Sequence, residues 1–372
     1  MLKSEILDSS SRMLEIDASQ MLAATASAGA QVRKALAEND QDVIARIANA
    51  GRPRAVVVTG MGGSGISGQI LEALAGTSSS IPVVSSRGYG LPSWVGVDDL
   101  VISLSCSGGT EETIAAAAEA ARRGSRLVAI TSPESELATF TESVRGADVV
   151  YIDAEGRMPR ASMWTLLTPL LRIGNALGIV NVSDEDLAKA ADVIDQVGIE
   201  CAVERPVEDN PAKLLALDFA DSLPMIWGTG EVGPVASYRV ISQLAENAKL
   251  PAIHGEIPES QHNQVVVLDG PYAGKGDMFA DTASVGRKFR LILLRDSVEH
   301  PQMARRAEIV TEIATRRDVP VTQVDSKGTH IVHRLAHLVA LTDWASVYAG
   351  LVQEIDPSPI GPIAELKSRL QA

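Results

Sequence analysis

From residue 51 onward, apolar runs of four or five residues alternate with stretches of helical spacing, the pattern of a doubly wound parallel sheet. Runs at 55–58, 81–84, 100–104, 126–130 and 148–152 predict the five strands of a first α/β domain. A second series predicts strands at Met225-Ile226-Trp227, Val265-Val266-Val267, Arg290 to Leu294 and Val321 to Val324. Ahead of both, residues 1–50 read as two amphipathic helices. Ile6, Met13, Ile16, Met21 and Leu22 form one stripe, and Val32, Leu36, Val43 and Ile47 the other. The charged, proline-containing stretch from Glu200 to Pro211 predicts a linker or an exposed crossing between the halves. The long apolar stretch from Met163 to Val182 contains Pro169, Arg172 and Asn175, so it reads as a buried helix and not a membrane span.

Composition narrows this picture. The chain has 372 residues, room for two domains, and only 3% of them are aromatic, so Ala, Val, Ile and Leu must fill the cores of strands buried on both faces. A net charge of −14 repels nucleic acid and anionic membranes over most of the surface, and any phosphate binding must be local. The two cysteines, Cys106 and Cys201, make neither a disulfide framework nor a metal-ligand spacing. Glu5 and Asp8 stand where a secretory leader has its apolar core, so the expectation is a cytoplasmic protein with neither nucleic-acid nor membrane partners.

Chemistry concentrates at two strand ends. The segments Thr59-Gly60-Met61-Gly62-Gly63-Ser64-Gly65 and Ser105-Cys106-Ser107-Gly108-Gly109-Thr110-Glu111-Glu112-Thr113 each follow a predicted strand and open a predicted helix. Glycines let backbone N–H groups approach an anion, the helix start adds partial positive charge, and Ser105, Ser107 and Thr110 add hydroxyl donors. Neither loop carries the lysine of a nucleotide P-loop, so a small phosphate monoester fits better than a nucleoside triphosphate. Gly60, Gly62 and Gly65 also satisfy a dinucleotide fingerprint, but no acidic residue follows at the end of the next strand, and Arg87 alone keeps an NADP reading open. In the second half, Trp227-Gly228-Thr229-Gly230 holds the place of Thr59-Gly60-Met61-Gly62 without a serine-rich loop after it, which predicts one phosphate site per chain.

For proton transfer the densest constellation is Gln243-Leu244-Ala245-Glu246-Asn247-Ala248-Lys249 with Glu259-Ser260-Gln261-His262-Asn263. It offers a helical carboxylate, Glu246, and a loop imidazole, His262, or else a plain ion pair with Lys249 and a polar loop residue. His330, His333 and His337 share one face of a predicted helix, but no carboxylate or cysteine joins them at ligand spacing, so no metal site is expected.

Together, Gly-Met-Gly-Gly-Ser-Gly, Ser-x-Ser-Gly-x-Thr-Glu-Glu-Thr, Glu-Asn-Ala-Lys-x-Pro-Ala and Glu-x-x-His-Asn resemble the bifunctional phosphoglucose/phosphomannose isomerase family. The likeness runs from about Val56 to the end, through Tyr348, Asp356-Pro357 and Ile363-Ala364-Glu365-Leu366-Lys367. It implies two sugar isomerase (SIS) domains, each a doubly wound three-layer αβα sandwich, at 51–185 and 186–345. An N-terminal helical extension at 1–50 and a C-terminal segment at 346–372 that returns to the active site complete the expected organisation. The implied activity is aldose–ketose isomerisation of hexose 6-phosphates through a cis-enediol, with neither metal nor organic cofactor. By the same resemblance, Gly62, Gly63, Ser64, Ser105, Ser107 and Thr110 hold the sugar phosphate, and Arg160 steadies the enediolate. Glu246 moves the proton between C1 and C2, while His262 assists ring opening from the partner subunit of a homodimer, accompanied by Lys367. The chain departs from the family at Cys106, usually aromatic, and at Gly109, usually asparagine. A catalytically silent phosphosugar-binding regulator is the alternative reading.

Overall fold

A computed structural model of the chain describes residues 3–38, 41–76, 78–273 and 287–370. The chain divides into two compact units. One, the first-sheet unit, comprises Ser27–Asp195 with Gly328–Ala336; the other, the second-sheet unit, comprises Met1–Ala26, Gln196–Lys327 and His337–Ala372. The N-terminal helices therefore serve both units. They are α1 (Ser10–Ile16), α2 (Met21–Ala26), α3 (Ala28–Ala37) and α4 (Gln41–Asn49), preceded by a 3₁₀ turn at Ser4–Asp8. The first of the two amphipathic helices expected there is broken at Asp17, whose buried carboxylate accepts the N–H groups of Met21 and Leu22, both at 2.8 Å, and so starts a new helix, and the second is divided between α3 and α4.

In the first-sheet unit, β1 (Val56–Thr59) leads into α5 (Gly62–Ala75) and then β2 (Val83–Ser86). Next come β3 (Leu100–Ser105), α6 (Glu111–Arg123), β4 (Arg126–Thr131), α7 (Glu136–Ser143), β5 (Asp148–Tyr151) and α8 (Met163–Ala176). The sheet is wholly parallel in the order β2-β1-β3-β4-β5. Alternation along each strand assigns its two faces. Val57, Val101, Leu127 and Ala129 pack with the alanines of α6 and Leu137 of α7, while Val58 meets α5 so closely that a Cβ on Gly68 would lie 3.0 Å from it. Helix α8 is buried along nearly its whole length, Pro169 included, as its apolar composition predicts.

The second series starts with α9 (Asp184–Glu200), which ends in the first residues of this unit, and α10 (Pro211–Ala220). Then follow β6 (Leu223–Gly228), α11 (Gly233–Gln243), β7 (Ile253–Glu256), β8 (Phe289–Arg295), α12 (Pro301–Thr315), β9 (Val321–Asp325), α13 (Ile331–Leu351) and α14 (Gly361–Leu370). The parallel order is β7-β6-β8-β9. Met225, Trp227, Leu291 and Leu293 pack against Ala307, Val310 and Ala314 of α12. Lys213, fully buried, ties down the crossing between α9 and α10 by donating to the carbonyls of Leu7, Val203 and Arg205.

One predicted strand is absent. Val265–Val267 lies in a 3₁₀ helix, Gln264–Asp269, opened by the Asn263 side chain accepting the Gln264 N–H, and Val266 is 67% exposed. The strand beside β6 is instead Ile253–Glu256. Gln264 ties the 3₁₀ helix to this edge by accepting from the Trp227 indole (2.9 Å) and donating to the His254 carbonyl (3.0 Å). Three valines are too short a run to fix an element by periodicity.

Candidate active site

In the first sheet the chain leaves β1 toward β2 on one side and reaches β3 on the other, so the carboxyl ends of β1 and β3 flank a topological switch point, the ligand crevice of open α/β sheets. Both glycine-rich loops lie there. Gly62 opens α5 with a left-handed φ of 53°, and the first turn of the helix leaves the N–H groups of Gly62 and Gly63 without intrahelical acceptors. The Ser64 N–H is bonded to the Met61 carbonyl at 3.1 Å, and its side chain is buried.

The second loop is aimed by its neighbours. Thr131 Oγ1 donates to the Ser105 carbonyl (2.8 Å), Ser132 Oγ to the Cys106 carbonyl (2.6 Å), and the Leu137 N–H to the Gly108 carbonyl (2.9 Å). In a trans peptide, C=O and the following N–H point in opposite directions. Pinning three carbonyls toward β4 and α7 thus turns the N–H groups of Cys106, Ser107 and Gly109 the other way; that of Gly109 is taken up by Ser107 Oγ at 3.4 Å, and those of Cys106 and Ser107 form an anion nest before α6. Sequence reasoning missed Thr131 and Ser132, because positioning residues of this kind carry no motif.

The hydroxyls are not equivalent. Ser105, 1% exposed, accepts the Gly108 N–H at 3.0 Å and pairs with Thr110 Oγ1 at 2.9 Å, so it shapes the loop from inside. Ser107 is exposed, and Thr110 is half-buried. Thr110 occupies the N-cap position of α6 without a side-chain cap bond, which leaves the helix start open to an external anion. Burial raises the Cys106 thiol pKa, which keeps the thiol protonated and unsuited to a nucleophile's role.

Arg160, buried in a 3₁₀ turn at Pro159–Ala161, belongs to the same place. A Cβ on Gly63 would lie 3.0 Å from the Pro159 carbonyl and 3.7 Å from the Arg160 Cα. The thiol of Cys106 is hydrogen-bonded to Ser162. The segment at 159–162 therefore touches both loops, and Gly62, Gly63, Ser64, Ser105, Ser107, Thr110 and Arg160 converge within one unit.

Glu246, His262 and Lys367 belong to the second-sheet unit. Glu246 lies half-buried in a π-helical turn, Leu244–Ala248, that continues α11 and closes on Lys249 at φ 55°. Single π turns often mark functional positions. This one is held against α13: Asn247 donates to Ser346 Oγ (2.9 Å), Gln243 and Arg239 both donate to Asp343, and a Cβ on Gly350 would come within 2.6 Å of the Asn247 carbonyl. Lys249 Nζ bonds the Glu246 main-chain carbonyl. A groove of about 590 Å³ separates Glu246 and Lys249 from Pro359, Ile360 and Ile363 at the start of α14. Lys367 is exposed on α14, and His262 is exposed at the end of the 3₁₀ turn Glu259–Gln261.

The histidine face differs from expectation, because a carboxylate does join it. Ligand atoms of Asp186, His330 and His333 lie within 4.8 Å of one another. Both imidazoles are accounted for by backbone carbonyls, His330 Nε2 at 3.0 Å from that of Asn181 and His333 Nε2 at 3.0 Å from that of Asp186. No described helix is long and apolar enough to cross a membrane.

Two parallel sheets with an anion nest at one switch point define a protein of the sugar isomerase class, and the comparisons agree: residues 52–154 match the SIS domain and residues 208–370 the bacterial phospho-glucose isomerase C-terminal SIS domain. A bifunctional phosphoglucose/phosphomannose isomerase of Caldicellulosiruptor bescii is 32% identical over 85% of this chain and 89% of its own length. One from Aquifex aeolicus is 28% identical over 86% and 91%. The chain belongs to the bifunctional phosphoglucose/phosphomannose isomerase family. Its fold is shared with a hypothetical protein of Thermus thermophilus, at a TM-score of 0.73 and 18% identity over 99% of this chain and 94% of that one. It is shared as well with the tagatose-6-phosphate ketose/aldose isomerase of Escherichia coli, at 0.69 and 12% over 92% and 97%.

Proposed function

We propose that the protein interconverts hexose 6-phosphates, glucose 6-phosphate and mannose 6-phosphate with fructose 6-phosphate, by proton transfer through a cis-enediol. The observation that carries this reading is the convergence of two amide-lined loops and the Arg160 turn at one switch point, in a chain whose relatives bear that activity in their names. The phosphate is bound by the N–H groups of Gly62, Gly63, Cys106 and Ser107, with Ser107 and Thr110 supplying hydroxyls. Ser64 and Ser105 shape the two loops from within.

In the open-chain aldose, the Glu246 carboxylate takes the proton from C2 and returns it to C1, while a proton passes from the C2 hydroxyl to the aldehyde oxygen. One carboxylate serves as base and then as acid, so the step itself requires no metal or redox cofactor. Arg160 meets the negative charge that develops on the enediolate oxygens. Delivery of the proton to either face of C2 in the reverse direction makes both the glucose and the mannose configuration accessible. His262, contributed by the partner subunit of a homodimer, opens the ring together with Lys367, and the enzyme works in the cytoplasm.

Coupled assays with fructose 6-phosphate test the reading. Formation of glucose 6-phosphate or mannose 6-phosphate is expected. Phosphosugar binding without turnover would instead leave a silent binding protein.

A further inference from the structure

The turn before Arg160 holds a second guanidinium. Glu155 (φ 49°) and Gly156 (φ 73°) are both left-handed, a tight bend that immediately precedes Arg157. The Arg157 side chain is only 12% exposed. Nη1 is paired with the Glu155 carboxylate, which is itself held by Lys34 at 2.8 Å. Nε and Nη2 are buried and have no hydrogen-bond partner. Two buried N–H groups without acceptors are costly to keep, and they are relieved when a ligand oxygen arrives. Arg157 stands two residues before Pro159, whose carbonyl a Cβ on Gly63 would meet at 3.0 Å, and its charge reaches the Cys106 thiol of the second loop.

Charge balance points the same way. A phosphate monoester carries close to two negative charges at neutral pH, and Glu111 and Glu112 occupy the first turn of α6, where the nest expects it. Amides and hydroxyls supply direction but no formal charge. We propose that Arg157 is a ligand of the substrate's phosphate, presenting Nε and Nη2 as a fork to two of its oxygens while Glu155 fixes the far side of the guanidinium. This rests on the isomerase reading and adds a cation on the side of the second loop, whereas Arg87 stands against Gly65 of the first.

The test compares wild type, Arg157→Met and Arg157→Lys by KM and kcat for fructose 6-phosphate, by the inhibition constant of inorganic phosphate, and by the rise in melting temperature that phosphate produces. In Arg157→Met, KM and the phosphate inhibition constant should rise together by about 10- to 100-fold, with kcat changed by less than about threefold. The phosphate-induced rise in melting temperature should vanish. Arg157→Lys, which keeps the charge but loses the fork, should fall between and decides the matter if the methionine variant does not fold. An unchanged phosphate inhibition constant, or a loss confined to kcat, overturns the proposal. Should wild type bind phosphate but turn over no sugar, the isomerase reading fails alone, and loss of the phosphate-dependent melting shift in the variants still assigns Arg157 to the anion.

Discussion

The two sheets offer the same architectural opening and use it differently. In each, the first strand of the series is flanked by the next two, which creates a switch point at its carboxyl end. At the first, carbonyls pinned by Thr131 and Ser132 turn the N–H groups of Cys106 and Ser107 away from β4. At the second, the protein fills the place itself. The Asp296 carboxylate, 1% exposed, accepts the Glu231 N–H at 3.3 Å and the Val298 N–H at 3.1 Å, while the Asp296 N–H bonds Thr229 Oγ1 at 3.2 Å. A Cβ on Gly228 would lie 2.1 Å from the Gly233 main chain, and one on Gly230 would lie 2.4 Å from the Asp296 side chain. A side chain of the protein thus occupies the place that, on the proposed reading, the first sheet keeps for a phosphate. On the same reading, that filling is a physical reason to expect one phosphate site per chain.

The proposed division between phosphate binding in the first unit and proton transfer at Glu246 in the second is most sharply broken by Glu246→Gln. Turnover should fall about 10³-fold or more, while inorganic phosphate still raises the melting temperature as in wild type. Loss of phosphate binding in that variant would mean the two tasks are not separable.

Acid response comes from two kinds of group, and the first kind, a buried histidine, is present in each unit, His337 in the second-sheet unit and His333 in the first. In the second-sheet unit His337 is 5% exposed, its Nδ1 has no hydrogen-bond partner, and burial lowers its pKa to about 4. As pH drops below about 6.5, the unfolded imidazole takes a proton that the folded one refuses until about 4, so stability falls through that window. The loss is at most about 3 kcal/mol. Urea unfolding at pH 7 and pH 4.5 measures it, and His337→Gln should flatten the difference. In the first-sheet unit the buried Asp99 is held below the usual carboxylate range chiefly by Arg54. Its contribution is therefore present above about pH 4 and lost only as pH falls through that lower value.

Smaller effects probe the loops. Gly63→Ala pushes a methyl to 3.0 Å from the Pro159 carbonyl and should displace the Arg160 turn, lowering kcat/KM by about 10- to 100-fold. Asp296→Asn should cost about 1 kcal/mol of stability and leave KM unchanged. A raised KM would show that the second switch point also handles substrate.

The strands of the first sheet were readable because they are buried on both faces and appear as continuous apolar runs. β7 was not, since an edge strand reading Ile-His-Gly-Glu carries no such signal, whereas the three valines after it mimic one. The break at Asp17 escaped notice because the apolar stripe continues across it. At the site, glycines and hydroxyls announced the loops, yet the bonds that orient them come from Thr131 and Ser132, 26 residues away from their acceptors. The π turn under Glu246 and the Asp296 plug are likewise products of packing, invisible to spacing.

The two switch points are distinguished most directly by a crystal soaked in fructose 6-phosphate. The phosphate is predicted on the N–H groups of Gly62, Gly63, Cys106 and Ser107, at one position per chain. A phosphate bound at the turn of Thr229 and Gly230, or the first loops left empty at saturating sugar, would contradict the assignment of anion binding to the first sheet.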